Sequence, residues 1–111
     1  MATASIVVFV TAKDEAEAQK ISEKLLQAKL AACVNVISNI RSVFWWEGKI
    51  DQSNEVLLMI KSQKKLFSKI VAAVKSVHSY SVPEIIALPI VDGQKDYLQW
   101  IKESCAPQKR R

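Results

Sequence analysis

The chain is poor in the residues that build cofactor cradles and scaffolds. It has two glycines in 111 residues, so a Gly-rich phosphate loop is not available, and no Walker loop, dinucleotide fingerprint, nucleophile elbow or zinc-protease pattern is found. Two cysteines, Cys33 and Cys105, are too few for a disulfide framework in a chain that can build a core, and read as thiols of a reducing compartment. There is one histidine, His78. No apolar run approaches the roughly 18 residues of a membrane span, and Met1–Phe9 lacks the basic n-region of a signal peptide. These absences exclude the common enzyme signatures and point to a non-enzymatic, cytoplasmic protein without a membrane partner.

Half of the residues are apolar and the formal net charge is +5. The length suits one domain over residues 1–111, with a disordered tail expected from about 106 to 111. Ser5–Thr11 is a β-branched run of strand length. Asp14 can cap a helix, with Glu17 three residues on as in a capping box. Ala18, Ile21, Leu25 and Ala28 give that helix an apolar face ending near Leu30. Ala32–Trp46 and Glu55–Ile60 read as the arms of a hairpin turning at Glu47-Gly48. Gln63–Val77 is a second amphipathic helix, Pro83–Ile90 a last strand, and Tyr97, Leu98, Trp100 and Ile101 mark a short closing helix.

The order βαββαβ predicts an α+β, ferredoxin-like domain with a C-terminal helix, in which the second and last strands lie at the sheet edges. Pro83 and Pro89 agree, because proline cannot donate to a ladder and belongs at an edge or strand end. The hairpin does not fit a lone domain so easily. A first arm from about Ala32 to Trp46 spans on the order of 45 Å at ~3.3 Å per residue, against strands of about 5–6 residues. Its tip carries Phe44, Trp45 and Trp46 in a row, an aggregation liability if left bare. A closed homo-oligomer that packs these aromatics between subunits resolves both features. The alternative is a bulge or bend near Ser38-Asn39 that folds the arm back on its own sheet.

Several separated segments resemble one family. Leu30-Ala31-Ala32-Cys33-Val34-Asn35, Trp46-Glu47-Gly48-Lys49-Ile50, Glu55-Val56-Leu57-Leu58-Met59-Ile60-Lys61-Ser62, His78 to Pro89 and Tyr97-Leu98-Gln99-Trp100 resemble, in order, the CutA family of divalent-cation tolerance proteins. The resemblance implies a ferredoxin-like fold, a tight trimer built through edge strands like the PII signalling proteins, and no established catalytic reaction. It implies a link to copper and other divalent cations in bacterial members, and to acetylcholinesterase processing in animal ones. The chain departs from the family at Ser79, where proline is usual, at Ser81, often Glu or Gln, and at Val10, where some bacterial members carry a cysteine. Valine supplies no ligand, so a metal site carried over from those members loses one donor here.

His78 with Glu84, six residues on, could hold Cu(II) or Zn(II) if another subunit completes the site. The blander reading is that His78 caps the second helix through its dipole and Glu84 makes a salt bridge or a backbone hydrogen bond. Cys33 is a more distant candidate ligand, with a buried core thiol as its alternative. Lys49, Glu55 and Tyr80 could line a cleft between subunits for a small anionic ligand. Trp45 and Trp46 could stack bases, but the lysines lie mainly on the second helix and tail without a groove-reading motif, so no nucleic acid partner is expected. The expected function is therefore a homotrimeric divalent-cation tolerance protein binding a metal such as copper. A trimeric scaffold for a protein partner and a PII-like small-molecule sensor are the alternatives.

Overall fold

The computed structural model describes residues 3–106; the tail expected to be disordered lies, but for Ala106, outside them. The elements run β1 (Ser5–Ala12), α1 (Glu15–Gln27), β2 (Cys33–Trp46), β3 (Lys49–Gln63), a 3₁₀ turn (Lys64–Leu66), α2 (Phe67–Val77), β4 (Ile85–Pro89) and α3 (Lys95–Ser104). The strands form one antiparallel sheet in the order β2-β3-β1-β4. The expected ferredoxin-like order and edge strands are both present.

The core follows from strand alternation. Ile6, Val8, Val10 and Ala12 of β1 and Val56, Leu58 and Ile60 of β3 are buried on one face, where Ala18, Ile21 and Leu25 of α1 and Ile70 and Val74 of α2 cover them. Asp14 caps α1 by accepting from the Glu17 N–H at 2.9 Å. The reciprocal half of the capping box is displaced by one residue: the Glu17 carboxylate takes the Lys13 N–H instead.

Helix α1 stops at Gln27 rather than near Leu30. Lys29 adopts a positive φ of 56°, the Lys29 N–H reaches Leu26 O and the Leu30 N–H reaches Leu25 O. That pair of bonds is a Schellman motif with lysine where glycine is usual. The second helix is also shorter than expected. Gln63 completes β3, and residues 64–66 form the 3₁₀ turn before α2.

The hairpin is longer than expected in its second arm, since β3 runs without a break from Lys49 to Gln63. Glu47 and Gly48 both have positive φ, the geometry of a tight two-residue turn between twisted strands. The bulge near Ser38-Asn39 exists: register shifts between Ile37 and Ile40, and Asn39 has φ 60°. It does not fold the arm back. β1 stops at the level of Val56, and from Ile40↔Glu55 to Trp46↔Lys49 the two arms pair only with each other. This ribbon is on the order of 20 Å long at ~3.3 Å per residue. It stretches the molecule to 52 Å, and the radius of gyration is 14.9 Å against about 13 Å for a compact chain of this length.

The second sheet face is largely uncovered. Val7, Phe9, Leu57 and Met59 are only partly buried there, and their neighbours in register, Ile86 and Leu88 of β4, are 51% and 49% exposed. At the ribbon tip Trp45 is 72% and Trp46 51% exposed. No helix among the described residues is long and apolar enough to cross a membrane.

Candidate functional site

The polar side chains with the most demanding surroundings gather where α1 begins, α2 ends and the ribbon leaves the sheet. Glu17, on the first turn of α1, is buried. One carboxylate oxygen accepts from Lys13 N–H at 3.0 Å and the other from Ser79 N–H at 2.7 Å. Burial alone would raise its pKa, but these hydrogen bonds outweigh that and hold it below the ordinary value. Glu17 thus ties the start of α1 to the loop after α2.

His78 sits beside it with its side chain fully buried and Nδ1 at 3.8 Å from Glu17. Its Nε2 donates to the Thr11 carbonyl at 2.7 Å, and its Nδ1 accepts from the Tyr80 N–H at 3.0 Å. The two bonds select the Nε2–H tautomer. As a residue His78 follows the last turn of α2, but its ring serves the end of β1 rather than the helix carbonyls. The expected cap is therefore replaced by a clamp between β1 and the α2–β4 loop.

Tyr80 continues the chain of contacts. Its hydroxyl donates to Glu55 at 2.8 Å, and its ring packs on that of His78 with centroids 4.8 Å apart. Burial and the Glu55 carboxylate together push the Tyr80 pKa up to about 12. Glu55 is buried at the root of the ribbon. Glu84 is more exposed, yet partial burial and the negative charge of Glu55 raise its pKa.

The structure brings His78, Tyr80, Glu55 and Glu84 to one end of the sheet, and does not bring the other candidates with them. Cys33 pairs with Lys61, six residues along β3 from Glu55, or about 20 Å at ~3.3 Å per residue. It is not a core thiol: it is partly exposed, with Asn35 at 4.0 Å and Tyr97 of α3 against it. Lys49 lies at the ribbon tip opposite Trp46, as far from Glu55 in the other direction. Val10 is fully buried under the helices.

These placements bear on metal binding. Both ring nitrogens of His78 are engaged, and among the described residues no three His, Cys, Asp or Glu side chains converge to hold an ion. Copper and zinc sites need about four donors, with waters or carboxylates completing the set. The residues of one chain do not fit such a site. Glu84 is the candidate whose carboxylate has no hydrogen bond within the described residues. Sequence reasoning passed over Glu17 as a site residue, because its partner Ser79 is 62 positions away and nothing local signals that contact.

The comparisons agree with this architecture. A family profile described as CutA1 divalent ion tolerance protein matches residues 6–104. The chain is 45% identical over 100 residues to the chloroplastic protein CutA 1 of Oryza sativa subsp. japonica, covering 90% of this chain and 56% of that protein. It is 40% identical over 98 residues to the divalent-cation tolerance protein CutA of Thermus thermophilus, covering 88% of this chain and 95% of that one. The chain thus spans little more than half of the plant relative and nearly all of the bacterial one. The solved structure of the periplasmic divalent cation tolerance protein CutA from Archaeoglobus fulgidus superposes with a TM-score of 0.89 at 41% identity, covering 92% of this chain and 99% of that chain.

Proposed function

Because the chain belongs to the CutA1 divalent ion tolerance family, we propose that it works as a closed homotrimer that catalyses no reaction and contacts divalent cations, copper first, at subunit boundaries. One observation carries the oligomer: an apolar sheet face and a protruding aromatic ribbon are left without cover in a single chain. Burying partly exposed Phe9, Met59, Ile86 and Leu88 yields roughly 25 cal/mol per Å² of apolar surface, and closed symmetry satisfies both edges without open-ended growth.

In this reading Glu84 is the first cation contact, and donors from a second copy supply what one chain lacks. His78 joins only by giving up its bond with Tyr80 or Thr11, and Cys33 only at a separate boundary. The names of the Thermus and Archaeoglobus relatives, which speak of divalent-cation tolerance, support the cation part. A native mass spectrum after incubation with limiting Cu(II) or Zn(II) tests both halves. A trimer carrying metal, lost in Glu84→Ala, is expected. A monomer overturns the reading.

The engaged nitrogens of His78 favour a second reading, a trimeric scaffold for a protein partner in which metal has no part; a metal-free trimer in that spectrum would select it. A PII-like sensor, with Lys49 of one copy meeting Glu55 and Tyr80 of another, would instead show a thermal shift with an anionic metabolite. The two free thiols suit a reducing compartment such as the cytoplasm, although the rice relative is named chloroplastic and the Archaeoglobus protein periplasmic.

A further inference from the structure

Lysines are concentrated toward one end of the sheet. Glu15, Glu17, Glu55 and Glu84 lie toward the ribbon, in the company of Lys13, Arg41 and Lys49. From Val56 to Pro83 the sequence holds Lys61, Lys64, Lys65, Lys69 and Lys75 and no Asp or Glu. Apart from Lys75 at the far end of α2, these fall at or near the opposite end of the domain.

Other lysines converge there. The Lys64 N–H is bonded to Ala4 O, which sets the 3₁₀ turn against the start of β1. Lys29, at the end of α1, and Lys65 both bear electrostatically on the buried thiol of Cys105. Lys95 and Lys102, two turns apart on α3, flank a recess of about 240 Å³ between α3 and the sheet, floored by Ser5, Gln63 and Leu98. No carboxylate lines this recess. Among the described residues, no lysine or arginine is paired with a carboxylate. The nearest acids in sequence, Asp96 and Glu103, sit on α3 itself; Asp96 meets the Gln94 amide and Glu103 the Gln99 amide.

We propose that this basic end is a docking surface for an acidic segment of a partner protein, whose carboxylates enter the recess between Lys95 and Lys102 while Lys29, Lys64 and Lys65 form the rim. Charge complementarity carries the choice of partner. The cations at this end are lysines, compact point charges suited to carboxylates; the one described arginine, a residue that reads phosphate and bases bidentately, is Arg41, which lies out on the ribbon opposite Asn54. Trp45 and Trp46, the residues that would stack bases, lie at the opposite end of the sheet. A bilayer is flat and would meet the rim without filling the recess. The mixed floor of hydroxyl, amide and leucine suits a peptide.

The test is fluorescence anisotropy of a labelled polyglutamate peptide with the full chain. Binding that weakens as salt is raised is expected, with at least about a tenfold loss in the double variant Lys95→Gln/Lys102→Gln. Lys20→Gln/Lys24→Gln removes the same charge from the groove between α1 and α2, where Glu23 already stands, and should leave affinity within about twofold. Sedimentation of each variant, run in parallel, separates a lost surface from a lost assembly. Equal losses in the two double variants would overturn the proposal, because net charge alone would then account for binding. So would a wild-type chain that ignores the peptide at low salt, or one that prefers phosphatidylserine vesicles or duplex DNA over it.

Discussion

The Tyr80 hydroxyl donates to the Glu55 carboxylate at 2.8 Å, joining the loop after α2 to the point where the ribbon leaves the sheet. The Tyr80 N–H is held in turn by His78, and the Ser79 N–H by Glu17. Three consecutive residues thus fasten one loop to β1, α1 and β3.

Removing the hydroxyl leaves a buried carboxylate without its donor. Tyr80→Phe should lower stability by about 1–3 kcal/mol, the range for hydrogen bonds to charged groups and for an acceptor left unsatisfied. Urea unfolding at fixed protein concentration reads this as a lower midpoint. An unchanged midpoint would mean that water replaces the hydroxyl without cost.

Acid should act on Glu17 and Glu84 with opposite signs. Glu17 is held below the ordinary carboxylate pKa, so its charge contributes stability above that range and the contribution is lost as pH falls through the folded value. Glu17→Gln should therefore cost most at neutral pH, with the gap to wild type closing on acidification. Glu84 is raised, so its ionised form costs the folded chain, and that cost disappears as pH falls through its own range. Glu84→Gln should raise the neutral-pH midpoint slightly and leave the acid one unchanged. Midpoints measured across pH 3 to 7, at roughly unit intervals spanning the reference carboxylate values, check both signs.

Lys29 sits at φ 56°, where a side chain costs about 1–2 kcal/mol and glycine does not. Lys29→Gly should stabilise the chain by about 0.5–1 kcal/mol once the extra freedom of the unfolded glycine is deducted. A fall in the urea midpoint would show that the lysine's own contacts outweigh its backbone strain.

The open sheet face can be tested without touching the core. Ile86→Asp and Leu88→Asp place carboxylates among partly exposed apolar neighbours. On the proposed assembly, they should shift sedimentation velocity from trimer to monomer while circular dichroism keeps its α+β form. Trimer retained in the double variant would move the interface elsewhere.

Most of the fold was legible because its signals are local. Asp14 announces the first helix, Glu47-Gly48 the turn, and Pro89 an edge; Pro83 instead precedes the last strand, which runs Ile85–Pro89 rather than from Pro83 to Ile90. The end of α1 was not, because the Schellman turn is filled by Lys29 rather than glycine, and lysine also reads as a dipole partner. The bare sheet face has its own signal in the sequence: Ile6 to Val10 is apolar without alternation, and a strand apolar on both faces needs two covers where the helices supply one. The site was least legible. His78 and Glu84 are apparent from composition, but the roles of the His78 nitrogens depend on Thr11, 67 positions away, and the reach of Glu17 on a contact equally distant from any sequence pattern.

The ribbon has a consequence for how the molecule comes into being. A two-stranded hairpin is at best marginally stable alone in water, and this one has no third strand from Ile40 to Glu55. In the proposed trimer its final order depends on encounters between chains. The body can fold as each chain is made, at a rate indifferent to concentration. Completion of the tip then waits on association, faster where copies are crowded and incomplete where they are scarce, so that in this reading abundance itself becomes a determinant of shape.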